Sequence, residues 1–224
     1  MSALSFVARS LKKISAIALA IFSWLLFIFI AIEPAQAHHA MGGILPDNFA
    51  EGFLSGLAHP VIGLEHLAFV AAIGLLAALS NKLGVIPLVF ITATAIGTGI
   101  HLLSIDLFLP EVIITGSVSI VGIFLAQKNL VDSGLLIVFT VIAGIFHGYA
   151  YGESIVGAET TALSGYLLGF CLIQLVISAT VFTIGRLVIS RNSLSDNTSN
   201  LNLRFAGFTI CGIGVAFLAN TLIS

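Results

Sequence analysis

The chain has 224 residues, of which 58% are hydrophobic and only 8% are charged. A soluble domain carries about 25% charged residues, so this chain cannot cover a water-facing surface, and its many apolar residues exclude intrinsic disorder. The formal net charge of −2 argues against nucleic-acid binding, which requires a basic face, and the chain has no P-loop motif for ATP. The composition therefore predicts an integral membrane protein with one domain.

The N-terminus has the pattern of an export signal. A positive region with Arg9, Lys12 and Lys13 precedes an apolar run over residues 14–32, and an A-x-A-like ending follows at Ala35-Gln36-Ala37. This order predicts a signal peptide over residues 1–37 that is cleaved after Ala37. The apolar run is also long enough to span a bilayer, so an uncleaved signal anchor is the alternative.

Cleavage would place His38 and His39 at the new N-terminus. An α-amino group beside imidazole is a reasonable chelate for a divalent metal ion. The alternative is that these residues belong to a terminus without fixed structure.

Six further apolar segments predict an all-α, polytopic membrane helix bundle. Most of them are close to the ~20 residues that a spanning helix needs. They lie near residues 62–80, 83–103, 110–126, 130–150, 161–189 and 203–223. Residues 47–58 predict a short helix at the membrane interface, and the Ser/Asn-rich residues 190–202 predict a surface loop. Residues 38–224 thus form a predicted single domain with six transmembrane helices.

The basic residues predict the orientation of these helices. When residues 9–13 are placed in the cytoplasm and the segments alternate, all eight Lys and Arg residues fall on the cytoplasmic side. Both ends of the mature chain then lie outside the membrane. All six histidines and most carboxylates fall on the outer side or in the outer leaflet.

Histidines and carboxylates in an apolar chain predict a metal-ion pathway. An ionisable group within a span costs at least about 2.5 kcal/mol on insertion scales, so it usually marks a site or a route. Imidazole with carboxylate suits divalent first-row metals, and with only two Met and two Cys the chain is a poor Cu(I) binder. Ni²⁺, Co²⁺ or Zn²⁺ fit best.

The densest cluster is His59-Pro60-Val61-Ile62-Gly63-Leu64-Glu65-His66. On an unbroken helix the two histidines stand about 10.5 Å apart along the axis, too far to share one ion. Either Pro60 and Gly63 break the helix so that His59 and His66 converge, or the histidines are two stations along a path. Glu65 is a ligand or an outer partner of an imidazole. Taken alone, His59 is better explained by a position at the water interface and His66 by a bond to a neighbouring helix, and it is their combination with Glu65 that favours a metal role.

A second cluster surrounds His147, a candidate ligand, with Glu153 behind it near the surface. Taken alone, Glu153 is better explained as a solvated loop acid. His101 ends the second predicted span at the outer side and is a further candidate metal residue. His101 and His147 lie at similar depth, which also permits axial ligation of a b-type haem.

The pattern His59-Pro60-x-x-Gly63-x-Glu65-His66 resembles the signature of the HupE/UreJ family, membrane proteins associated with hydrogenase and urease maturation. The His-Gly-x-Ala run from His147 to Ala150 matches as well, with Glu153 beyond it. Glu65 stands where the family usually has Asp, and Tyr151 stands where many members have a second histidine. The resemblance implies uptake of nickel or cobalt, with His59, Glu65, His66 and His147 as the metal residues.

The sequence therefore predicts an importer of Ni²⁺ or Co²⁺ in the cytoplasmic membrane of a bacterium. It predicts no catalysis and no permanently bound cofactor, and it leaves a homo-oligomer open. The membrane potential or protons would drive transport, and the ion would supply hydrogenase, urease or cobalamin maturation. The alternatives are an intramembrane zinc-dependent hydrolase, with Glu65 as general base, and the haem protein.

Overall fold

The computed structural model describes residues 44–80, 85–127, 131–192 and 198–223. Within these ranges the chain forms seven helices and no strand, which confirms the all-α prediction. The helices are α1 (Phe49–Ile62), α2 (Leu64–Ser80), α3 (Ile86–Leu102), α4 (Pro110–Ala126), α5 (Ser133–Glu153), α6 (Thr160–Asn192) and α7 (Thr198–Ile223). They belong to one compact unit, His38–Ser224. The predicted signal peptide, His38 and His39 lie outside the described residues.

Each of the six predicted apolar segments corresponds to one helix, α2 to α7. The helix predicted over residues 47–58 is also present as α1 and extends to Ile62. The loop predicted over residues 190–202 is wrong at both ends, because α6 continues to Asn192 and α7 begins at Thr198. Ser and Asn lower helix stability by less than ~1 kcal/mol each, so a polar stretch without Pro or Gly need not interrupt a helix.

Three stretches among the described residues are long and apolar enough to cross a bilayer: Ser133–Glu153, Thr160–Ile189 and Leu201–Ile223. The pair α1 and α2 passes the same test only when both helices are taken together, and the pair is bent by 81°. α3 and α4 are apolar but have 17 residues each, about 26 Å of helix against a hydrocarbon core of about 30 Å. The chain is therefore a helical membrane protein with three or four candidate spans by length and composition.

Many large apolar side chains lie on the outside of the bundle. Ile96, Ile142 and Leu168 each expose half or more of their side chain. In a water-soluble monomer such extensive apolar exposure is unusual, whereas contact with lipid tails satisfies it. The exposed side chains thus agree with the low charge content of the chain.

The most buried helix is α2, which forms the centre of the bundle. Phe69, Val70, Ile73 and Ala77 have no exposed surface. α2 packs against α6, α4, α7 and α3, and residues from α3, α4, α5 and α7 complete its apolar core.

The other six helices form three closely packed pairs: α1 with α6, α3 with α5, and α4 with α7. Glycine makes each approach close. A Cβ added at Gly56 of α1 would run into the carbonyl oxygen of Tyr166 on α6, and one at Gly148 of α5 would run into that of Thr94 on α3. Small residues at such positions let membrane helices pack backbone against backbone. The tight pairs hold the side chains of α5 and α6 at fixed positions around α2.

α1 and α2 meet at a single residue, Gly63. Its N–H donates to the carbonyl of His59, ending α1, and its carbonyl accepts from Leu67 N–H, starting α2. Pro60 weakens the last turn of α1 because it lacks an N–H donor. The resulting bend places the end of α1 beside the start of α2, which determines the geometry of the site.

Candidate functional site

The bend at Gly63 brings two predicted metal residues together. The ring centroids of His59 and His66 are 5.7 Å apart, much closer than the spacing that an unbroken helix would impose. Of the two alternatives that the sequence leaves open, the structure shows the one in which the helix breaks and the two imidazoles lie close together. His147 reaches the same place from α5, and the three histidines are almost completely buried. Below, His59, Glu65, His66 and His147 are called the histidine cluster.

His66 and His147 are joined directly through their rings. His66 Nδ1 and His147 Nδ1 are 2.7 Å apart, a hydrogen-bond distance. His147 Nε2 lies 3.0 Å from the hydroxyl oxygen of Ser117 on α4. Ser117 in turn donates its proton to the carbonyl of Ile114 at 2.6 Å. A continuous chain of hydrogen bonds thus connects α2, α5 and α4.

His59 is oriented by two hydroxyl groups. Its Nδ1 lies 2.9 Å from Ser154 Oγ and 3.1 Å from the hydroxyl of Tyr166. The Tyr166 hydroxyl donates to the carbonyl of Tyr151 at 2.8 Å, so its oxygen remains to accept a proton from His59 Nδ1. A histidine that donates one ring N–H to an oxygen presents its other nitrogen as a base, the arrangement found at metal-ligating histidines.

Glu65 and His66 present two donor atoms at a suitable distance for a metal ion. Glu65 Oε1 lies 3.5 Å from His66 Nε2, and both side chains are buried. Two ligands with bonds of 2.0–2.2 Å at a tetrahedral angle stand about 3.4 Å apart. A buried carboxylate beside an imidazole nitrogen is therefore spaced so that both could contact one cation.

Gly63 makes room for this pair. A Cβ at Gly63 would lie 2.6 Å from Cδ2 of His66 and 3.2 Å from Glu65 Oε1. The φ of Gly63 is −73°, which any residue can adopt. The residue must therefore be small because the His66 ring and the Glu65 carboxylate fold back over it.

Tyr151 adds a buried hydroxyl to the cluster. Its ring lies 4.9 Å from that of His59 and 4.7 Å from that of His66, and it has no exposed surface. Among the described residues its hydroxyl is buried without a hydrogen-bond partner. A buried hydroxyl without a hydrogen-bond partner costs free energy. Here the tyrosine that carries it packs between His59 and His66, two candidate ligands.

Phenylalanines border the cluster on the His147 side. Phe69 packs on the ring of His147 with centroids 4.5 Å apart, and Phe90 contacts the same imidazole at 5.8 Å. Phe139 extends this aromatic group from α5. These rings exclude water from His147. The lower local dielectric constant strengthens the hydrogen bonds of the cluster.

The structure places the remaining predicted site residues elsewhere or does not describe them. His101, at the end of α3, packs edge-on against Tyr149 with ring centroids 4.4 Å apart and is partly exposed. Glu153 is exposed at the last position of α5, directly before Ser154. Within the described ranges no group of three or more His, Cys, Asp or Glu residues converges closely enough to hold a metal ion.

Ser117, Ser154 and Tyr166 were not predicted as site residues from the sequence. The sequence does carry one signal that points to them. The chain has only three tyrosines against 17 phenylalanines, and all three tyrosines pack on histidine rings. In an apolar chain that uses Phe for bulk, a tyrosine indicates a place where a hydroxyl is needed.

A family model described as HupE / UreJ protein matches residues 25–217 of the chain. Protein HupE of Rhizobium leguminosarum bv. viciae is 28% identical over 139 residues, which cover 61% of this chain and 69% of that protein. No solved structure matches the chain significantly.

Proposed function

Because the chain belongs to the HupE / UreJ family, we propose that it imports a divalent transition-metal ion, Ni²⁺ or Co²⁺, across the cytoplasmic membrane of a bacterium. The observation that carries the proposal is the buried pair of donors, Glu65 Oε1 and His66 Nε2, 3.5 Å apart beside His59. Ionisable groups at this depth in a helical membrane protein usually belong to a substrate pathway.

The chemistry of the pair favours a borderline divalent ion. Imidazole nitrogen with carboxylate oxygen suits Ni²⁺, Co²⁺ and Zn²⁺ better than Cu(I) or Ca²⁺. Two donors hold an ion more loosely than a closed set of four. A transporter must bind its ion strongly enough to admit it and weakly enough to release it.

The proposed route begins on the outer side of the membrane. His38, His39, His101 and Glu153 collect the ion there, and the cluster around His66 receives it. In this topology α2 to α7 cross the membrane, α1 folds back against α6, and the eight basic residues face the cytoplasm. The signal peptide over residues 1–37 is removed, so both mature termini lie outside.

The membrane potential supplies the driving force in this proposal. Moving one charge across 100 mV releases about 2.3 kcal/mol, so a divalent ion gains about 4.6 kcal/mol. That is roughly a thousandfold accumulation, and no ATPase is required. Coupling to protons through Glu65 is a variant of the same proposal, and the imported ion would supply hydrogenase, urease or cobalamin maturation.

The two other functions weighed from the sequence gain no support. In the haem protein His147 would ligate iron, but both of its ring nitrogens already have protein partners, His66 and Ser117. The zinc hydrolase calls for three protein ligands and a bound water, whereas the spacing seen here brings together one carboxylate and one imidazole nitrogen. A transport function requires no ligands beyond this pair of donors.

The test is uptake of labelled Ni²⁺ and Co²⁺ into vesicles that contain the purified protein and carry an imposed membrane potential. Glu65→Gln keeps the size of the side chain and removes its charge, and Glu51→Gln in the first turn of α1, outside the histidine cluster, is the matched control. We expect saturable uptake that is lost in Glu65→Gln and kept in Glu51→Gln. Absence of potential-driven uptake by well-folded wild type would refute the proposal.

A further inference from the structure

We infer that His147 is a positioning residue that fixes the proton of His66, and that it does not bind the ion itself. The inference rests on the proposed function only in taking His66 as a ligand. It departs from the expectation, implied by the family resemblance, that His147 is a metal residue. The positions of the protons along the chain of hydrogen bonds from Ser117 to His66 determine this role.

The chain of hydrogen bonds begins at the Ser117 hydroxyl, which has one proton to donate. Its oxygen lies 2.6 Å from the carbonyl of Ile114, a distance that requires the proton to lie between the two oxygens. Toward His147 the same oxygen can then only accept. The contact of 3.0 Å to His147 Nε2 therefore needs a proton on that nitrogen.

The second step is the contact between the two imidazoles. A neutral His147 that carries its proton on Nε2 has a lone pair on Nδ1. The distance of 2.7 Å to His66 Nδ1 then requires a proton on the His66 nitrogen. A second proton on His147 would instead create a charged imidazolium packed against Phe69, which is costly to bury.

The contact with His147 determines which nitrogen of His66 carries a lone pair. With its proton on Nδ1, its Nε2 carries a lone pair, and this is the nitrogen 3.5 Å from Glu65 Oε1. His147 thus turns the basic nitrogen of His66 toward the carboxylate. The arrangement matches that of His59, whose Nδ1 faces Ser154 and Tyr166. Both imidazoles are held in the same tautomer by partners from outside their own helices.

One test needs no metal ion. In protein labelled with ¹⁵N-histidine and embedded in lipid, the ring ¹⁵N shifts separate protonated nitrogens from those with a lone pair. We expect His66 to be protonated on Nδ1 and His147 on Nε2 only. Ser117→Ala should disturb the His147 signals, whereas Ser119→Ala, on the same helix, should leave them unchanged. A proton on His66 Nε2, or on both His147 nitrogens, would overturn the inference.

The second test counts the imidazoles around bound Co²⁺ by X-ray absorption. The amide oxygen of His147→Asn is one bond beyond Cγ, like Nδ1, so it can accept the His66 proton, whereas in His147→Gln that oxygen lies one bond farther out. We expect both variants to keep the wild-type imidazole count. The affinity should be nearly retained in His147→Asn and fall ~10–100-fold in His147→Gln. His66→Ala should lose one imidazole.

These outcomes separate the two proposals. Loss of an imidazole in His147→Asn would show that His147 is a ligand and would overturn the inference while the proposed function stands. If wild type bound neither Co²⁺ nor Ni²⁺, the proposed function would fall. The ¹⁵N measurement would still decide where the protons of His66 and His147 lie.

Discussion

Histidine packs against tyrosine in two places, the histidine cluster and the pair His101–Tyr149. The two places differ in the hydrogen-bond partners of the imidazole. In both places an imidazole packs against a tyrosine ring at less than 5 Å. In the cluster, however, His59 Nδ1 faces two hydroxyl oxygens, whereas among the described residues His101 Nδ1 is buried without a hydrogen-bond partner. Packing alone holds a ring in place, but only a partner on one nitrogen determines which nitrogen is left to bind a cation.

The largest difference is expected between His66→Ala and His101→Ala. Loss of a direct ligand should reduce ion uptake by more than the ~10–100-fold that loss of an outer partner costs. His101→Ala should reduce uptake only at low ion concentration, because the proposed route has this residue at its outer end. Uptake at equal amounts of membrane-inserted protein measures both effects. Equal losses in the two variants would show that the cluster has no special role.

Gly63→Ala should give the next largest effect. The added Cβ would lie 2.6 Å from the His66 ring, so the ring and the Glu65 carboxylate must move apart. We expect a fall in Co²⁺ affinity of ~10–100-fold, the size of effect seen when a ligand loses its orientation.

The control for Gly63→Ala is Gly99→Ala in α3, where an added Cβ meets nothing within 4 Å. That change should leave metal affinity intact and stabilise the helix by about 0.5–1 kcal/mol. Binding titrations with a thermal unfolding series would distinguish the two glycines. Unchanged affinity in Gly63→Ala would contradict the described packing of His66 over Gly63.

The smallest effects are expected from the hydroxyl groups around His59. Ser154→Ala or Tyr166→Phe alone leaves the other acceptor for His59 Nδ1, so each should lower affinity only slightly. The double variant removes both acceptors and should cost more than the sum of the two, up to ~10–100-fold. Ser164→Ala, on the exposed side of α6, is the control for a lost serine hydroxyl. Additive effects would show that the two hydroxyl groups do not share one role.

The sequence predicts the helices well and gives a helix break between His59 and His66 as one of two alternatives, because both depend on local pattern. Long apolar segments predict helices, and Pro60 with Gly63 inside a helical stretch predicts a break. Glu111 at the start of α4 and Asn48 before α1 follow the ordinary rules for helix ends.

The partners that orient the imidazoles could not be predicted in this way. Ser117, Ser154 and Tyr166 come from three different parts of the chain, and nothing local distinguishes Ser117 from Thr140, which only bonds its own helix. Serine and threonine in membrane helices commonly donate to the carbonyl three or four residues earlier. Only the packing of α4, α5 and α6 around α2 reveals which hydroxyl groups meet a histidine.

The packing of α1 against α6 has a consequence for the order in which the site forms during synthesis on the ribosome. His59 meets Tyr166, which lies 107 residues further along the chain. At ~5–20 residues per second, the ribosome needs roughly 5 to 20 s to add that stretch. During this interval His59 is already synthesised, but Tyr166, its partner on α6, does not yet exist. The partners of His59 are therefore complete only when α6 has been made, after the synthesis of α1 to α5.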